Sequence, residues 1–114
     1  MDIDRQTAET MDGSAARVRI MGSSKFSTQV ADEVWIDLKF QAGPIQEVGV
    51  NGCSIEDVID VLRERLEGYQ RGPFRCRENA LAITKLEEAK HWLLERTRKR
   101  QTQGVEGTNQ PHKD

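Results

Sequence analysis

The sequence predicts an α+β chain: a small N-terminal antiparallel β region followed by a long antiparallel two-helix hairpin. Three observations lead there. Val34, Ile36, Leu38 and Phe40 alternate with other residues along one stretch, the period of a strand with one apolar face. Ile55, Val58, Ile59, Leu62, Leu66 and Tyr69 recur at helical spacing and form a single stripe. A second helical run from about Glu78 to Gln103 comes after the break at Gly72-Pro73, and so short a connection returns it antiparallel to the first.

Taken in order, residues 1–15 are polar and without period, which predicts a flexible tail. Arg17-Val18-Arg19-Ile20 alternates up to Met21 as a short strand would, and Gly22-Ser23-Ser24 reads as a turn. Val34 to Phe40 is the clearest strand, with Trp35 on its polar side facing a second layer or a partner. Gly43-Pro44 breaks it, Ile45 to Val50 is expected to be a third extended piece, and Asn51-Gly52 is expected to turn through positive φ.

Ser54 and Asp57 then have the spacing of a capping box at a helix start. Gly72-Pro73 ends that helix. On the second helix Ala82, Leu86, Ala89, Leu93 and Arg96 share a stripe, flanked by Ile83, Lys90 and Leu94, while Trp92 widens the apolar surface. Gly104 stops the helix, and the chain beyond it is expected to be loose. The predicted organisation is a flexible tail over 1–15, one domain over 16–108 and a flexible tail over 109–114. Within the domain, 16–52 is the β region and 54–103 the hairpin.

The 114 residues suit one domain, with 36% hydrophobic and 32% charged residues. A domain of this size buries only about 60–65% of its unfolded surface. So lean a composition predicts a homo-oligomer, with Trp35, Trp92 and Leu94 at subunit contacts. A net charge of −2 argues against DNA or RNA as a partner. Cys53 and Cys76 lack metal-ligand spacing and read as small buried apolar residues of a reducing compartment. No apolar run approaches the roughly 20 residues of a membrane span. The opening Met1-Asp2-Ile3-Asp4 is unlike a signal peptide, which predicts a cytosolic protein.

Catalysis is not expected. His112 falls in the tail, and His91, between Lys90 and Trp92, reads as a surface or interface residue. No nucleophile elbow, Walker loop or zinc-protease motif is present. Glu56, Asp57, Glu87 and Glu88 read as capping groups and a solvated face. No metal or cofactor is implied.

Three features do point to a ligand. The glycine-bearing loop Phe40–Gly52, with Asn51, has the composition to bring backbone N–H groups to a phosphate, although a plain tight turn explains it too. The segment Tyr69–Asn79 gathers Tyr69, Phe74, Arg71, Arg75, Arg77 and Asn79 at one bend. Stacking a base on an aromatic ring is worth about 1–3 kcal/mol, and a helix N-terminus attracts phosphate. The bland alternative is that the two rings only close the hairpin. In Glu95–Arg100, Arg96 and Arg100 lie four apart on one face. They either complement the helix dipole or, where subunits converge, form an anion site.

Four stretches carry a resemblance: FQAGPIQEVGVNG (Phe40–Gly52), YQRGPFRCRENALAITKLEEA (Tyr69–Ala89), ERTRKR (Glu95–Arg100) and GVEGT (Gly104–Thr108). Together they resemble a phage hairpin-domain family that comprises the Thoeris anti-defence sponges and the related anti-CBASS sponges. The likeness runs over residues 34–108 and is nearer the Thoeris branch. It implies a protein that binds cyclic nucleotide second messengers and sequesters them without degrading them. The implied ligand is glycocyclic ADP-ribose made by TIR-domain proteins, with cyclic trinucleotides in separate pockets of some members. It also implies assembly from dimers up to hexamers, and action in the host bacterial cytoplasm. Carried over by motif, Tyr69 (commonly Phe in the family) and Asn79 would bind the cyclic ADP-ribose. Arg96 and Arg100, with Thr97 between them, would bind trinucleotides. Phe74, Arg75, Arg77 and Asn51 join the first set on local chemistry alone. Two alternatives stay open: an anti-CBASS sponge with cyclic di- or trinucleotides as main ligands, and a helical-hairpin adaptor for another protein chain.

Overall fold

The computed structural model describes residues 2–9, 15–23 and 33–113. The chain divides into two compact units, Met1–Cys53 and Ser54–Asp114, and the fold class is the predicted α+β.

In the first unit, strands β1 (Asp2–Glu9), β2 (Ala15–Ser23) and β3 (Glu33–Lys39) form an antiparallel sheet in the order β1-β2-β3. β1 corrects the expectation of an irregular tail. Asp2–Glu9 has too few apolar residues to announce a strand, yet it pairs along the length of β2 from Asp2 opposite Ser23. Backbone pairing, which any non-proline residue can supply, forms this strand. Gly22 and Ser23 likewise belong to β2 rather than to a turn, and Ser24 lies outside the described residues. Central Val18 faces Thr7 on one side and Leu38 on the other and is buried. Across β2 and β3, the Arg17 guanidinium grips both Asp37 oxygens at 3.2 and 3.1 Å.

The chain after β3 is held against itself at Phe40 and Cys53, which form an isolated bridge. Cys53 N–H donates to Lys39 O at 2.7 Å, and Gln41 N–H donates to Cys53 O at 3.0 Å. Between them, Ile45–Val48 is not extended, as expected, but one helical turn, α1. Pro44 sets the cause: its φ of −68° fits the residue before a helix, and its carbonyl accepts from Glu47 N–H and Val48 N–H at 3.0 and 2.9 Å. Gly49, at φ +75°, ends the turn.

Asn51 also departs from expectation. Every positive φ among the described residues belongs to glycine, and neither Asn51 nor Gly52 has one. Asn51 works through its side chain instead. Its Oδ1 accepts from Ala42 N–H at 2.8 Å, its Nδ2 donates to Ala42 O at 2.7 Å, and its own N–H donates to Gln41 Oε1 at 2.9 Å.

The second unit is the helical hairpin of α2 (Ile55–Gln70) and α3 (Arg77–Thr102). Ser54 and Asp57 make the predicted capping box, each side chain bonded to the other's backbone N–H. Ile59 is the buried residue of α2, at 7% exposure, whereas Ile55 and Leu62 stay about half exposed. On α3, Leu86 and Leu93 are partly covered, and the next residue of that seven-residue repeat, Arg100, is the buried one at 6%. Arg96, expected on the buried stripe, is exposed. Three residues from Leu93, it points about 60° away from that line.

The C-terminal segment is not loose. Beyond Gly104 it folds back, burying Val105 under the Arg100 guanidinium. That group donates to Val105 O at 2.8 Å, Thr108 O at 3.1 Å, Gln110 O at 3.2 Å and Glu106 Oε2 at 3.2 Å. Gln103 then exchanges two hydrogen bonds with the Lys113 backbone, at 2.6 and 3.0 Å. The thiols are free. Cys53 is half-buried, but Cys76, expected to be buried, is exposed at the N-cap of α3, where only its backbone is held. No described helix is long and apolar enough to cross a membrane.

Candidate ligand-binding site

The bend between α2 and α3 is built by side chains that bond backbone. Gln70 closes it: its Oε1 accepts from Cys76 N–H and its Nε2 donates to Cys76 O, both at 3.0 Å. Asn79, in the first turn of α3, donates from Nδ2 to Phe74 O at 3.2 Å. That bond fixes the backbone beneath the Phe74 ring. Tyr69, on the last turn of α2, meets Phe74 edge to face, with centroids 6.0 Å apart at 84°.

Tyr69, Phe74, Asn79 and Arg65 line an open cleft of about 420 Å³, within the usual size range of small-molecule sites. Phe74 is 70% exposed, an unusual state for a large ring without a partner surface. The sequence-predicted residues Tyr69, Phe74 and Asn79 are therefore brought together. Arg75 and Arg77 are exposed on the same bend but do not line the cleft. Asn51 belongs to the other unit, where its amide is engaged with Ala42.

Arg65 escapes the sequence reading. Its guanidinium carbon lies 4.8 Å from the Tyr69 ring centroid, and its Nη2 donates to the Tyr69 hydroxyl at 3.0 Å. The available signal is spacing, since Arg65 stands four residues before Tyr69 and so on the same helix face. The cleft thus offers two aromatic surfaces, a fixed carboxamide and a cation. No His, Asp, Glu, Lys or Cys lines it, and no described group of His, Cys, Asp or Glu is placed to hold a metal.

The late-α3 residues are arranged differently. Arg96 is exposed, Thr97 donates from Oγ1 to Leu93 O at 3.2 Å, and Arg100 is turned onto the C-terminal segment. Arg96 and Arg100 do not share one open surface. His91 is exposed and meets the Trp92 ring edge to face at 5.9 Å.

Compared with known proteins, residues 33–98, more than half the chain, match the family model described as Acb2/Tad1, hairpin domain. The chain belongs to the Acb2/Tad1 hairpin-domain family. In this family member the matched stretch takes in β3, the Phe40–Cys53 loop and all four cleft residues, and stops short of Arg100. The chain is also similar to "Thoeris anti-defense 1" of Bacillus phage SBSphiJ7, with 52% identity over 73 residues. Those residues are 64% of this chain and 51% of that protein, so the chain spans about half the length of the curated relative it matches.

Proposed function

We propose that this family member is a phage anti-Thoeris protein that binds a cyclic nucleotide immune signal and holds it unchanged. Glycocyclic ADP-ribose is the first candidate. The observation that carries the reading is the cleft of Arg65, Tyr69, Phe74 and Asn79. A base stacks on the exposed ring surface, the carboxamide offers a polar edge, and the guanidinium faces the pyrophosphate. The cleft is lined by no His, Asp, Glu, Lys or Cys, the side chains that most often cleave a phosphate or glycosidic bond, which supports sequestration over turnover.

The cleft is open to solvent, and in this reading a second copy of the chain covers it. The apolar surface left exposed on the hairpin, with Trp92 at 69% and Leu94 about half exposed, supports self-association; the proposed assembly is a homo-oligomer, dimer to hexamer, acting in the host cytoplasm. Burial between copies excludes water and slows release, and affinity is tuned mostly through the off-rate. A sponge has to hold nearly all of the signal, which calls for a nanomolar Kd, about −12 kcal/mol.

The test is to load the purified protein with glycocyclic ADP-ribose, wash, heat-denature and recover the small molecule. Intact ligand at a fixed ratio to protein supports the reading. No retention, or recovery of a hydrolysed product, rejects it. Cyclic di- or trinucleotides belong in the same assay, because Arg96, Thr97 and Arg100 remain candidates for a second pocket. That pocket requires Arg100 to leave Val105, Thr108 and Gln110.

A further inference from the structure

We infer that Arg65 is the residue that reads the anionic part of the ligand, and that the Tyr69 hydroxyl sets its aim. The inference rests on the proposed ligand cleft and deepens it.

Three other arginines of the hairpin unit are neutralised or tied to backbone. Arg63 lies between Asp60 and Glu67, Arg98 grips Glu95, and Arg100 holds Glu106 and three carbonyls. Arg65 differs. No ion pair among the described residues includes it, and its helical neighbours one turn away are Val61, Leu62, Gly68 and Tyr69, none of them acidic. Its partners are a ring face and a hydroxyl oxygen, which orient a guanidinium without cancelling its charge. Two contacts on one side leave the remaining N–H donors for a planar, bidentate acceptor such as a phosphate.

The position matters as much as the charge. Arg65 and Phe74 line the same cleft with Tyr69, so an anion at Arg65 lies beside the aromatic surface where a base stacks. The chemistry selects a ligand carrying a flat base and a phosphate within one small ring, over an uncharged nucleoside. Arg75 and Arg77 lie outside the cleft walls and contribute attraction at longer range.

The test uses glycocyclic ADP-ribose as the probe, measured by calorimetric titration at low and high salt. The proteins are the full chain and the variants Arg65→Met, Arg65→Lys, Tyr69→Phe and the Arg65→Met/Tyr69→Phe double variant. Arg65→Met should raise Kd about 10- to 100-fold, the range for a charge-assisted hydrogen-bond pair, and should flatten its dependence on salt. Arg65→Lys should regain part of the affinity, since a point charge replaces a fork. Tyr69→Phe should lose less than Arg65→Met, and the double variant should be no worse than Arg65→Met alone, because both changes act through one group. Binding by Arg65→Met within a few-fold of the parent, or an unchanged salt dependence, overturns the inference and leaves the proposed function standing. Failure of the parent chain itself to bind overturns both.

Discussion

Asp60 and Lys90, thirty residues apart in sequence, meet across the hairpin with the ammonium 2.8 and 3.0 Å from the two carboxylate oxygens. The contact fixes the register of α3 against α2. The hydrogen bond from Lys90, together with the charges of Lys90 and Arg63, holds the Asp60 carboxyl below the usual carboxylate range, against the opposing effect of desolvation. A lowered folded-state pKa means the pair contributes fully above the ordinary carboxylate range and loses its contribution as pH falls through the lowered value. Thermal unfolding followed against pH should show Asp60→Asn less stable than the parent at neutral pH. The gap should begin to close below about pH 5.

Arg100 should matter more to folding than any surface arginine. Replacing it with Met keeps the apolar stem and removes four hydrogen bonds, leaving the carbonyls of Val105, Thr108 and Gln110 without that donor. The expected cost is about 1–3 kcal/mol in urea unfolding. Limited proteolysis should then cut near Glu106 at protease concentrations that leave the parent intact.

Gly52 is held to its identity by sterics. A Cβ there would overlap the carbonyl carbon and oxygen of Phe40, backbone atoms that cannot rotate aside. Gly52→Ala should destabilise the chain by about 1–3 kcal/mol. The amide of Cys53, bonded to Lys39 O, should exchange with solvent faster in hydrogen-exchange measurements.

Asn51→Ala should lower the thermal midpoint through the same loop. It strips the partner from both the N–H and the carbonyl of Ala42, for a loss of about 1–3 kcal/mol. Asn51→Asp keeps an acceptor for the N–H but sets a carboxylate oxygen against the Ala42 carbonyl, so its midpoint should also fall below that of the parent.

These residues also mark what the sequence reveals and what it withholds. Ser54 with Asp57, and the Leu86–Leu93 repeat, are readable because their partners lie within a few turns of the same chain segment. Tyr69, Phe74 and Asn79 are readable as a cluster because a single bend collects them. Arg65 is not, despite its four-residue offset from Tyr69, because arginines on helices are ordinary. Strand β1 escapes because its pairing with β2 uses backbone groups that every residue carries. The Ile45–Val48 turn is hidden because four residues are too few to show a helical period, while Val48 and Val50 alternate as a strand would, with Pro44 deciding between them. The Arg100 clamp is hidden for a third reason: its acceptors are mostly carbonyls, which leave no trace in side-chain identity.

The returning C-terminal segment has a practical outcome. With the Lys113 backbone bonded to Gln103, anything fused after it leaves the molecule beside the last turn of α3 rather than beyond it. The exposed Cys76 thiol sits at the other end of the same helix, 26 residues or about 39 Å away. A fluorophore at each of those two places reads the length of the rod directly, from a site next to the aromatic bend to the foot of the hairpin.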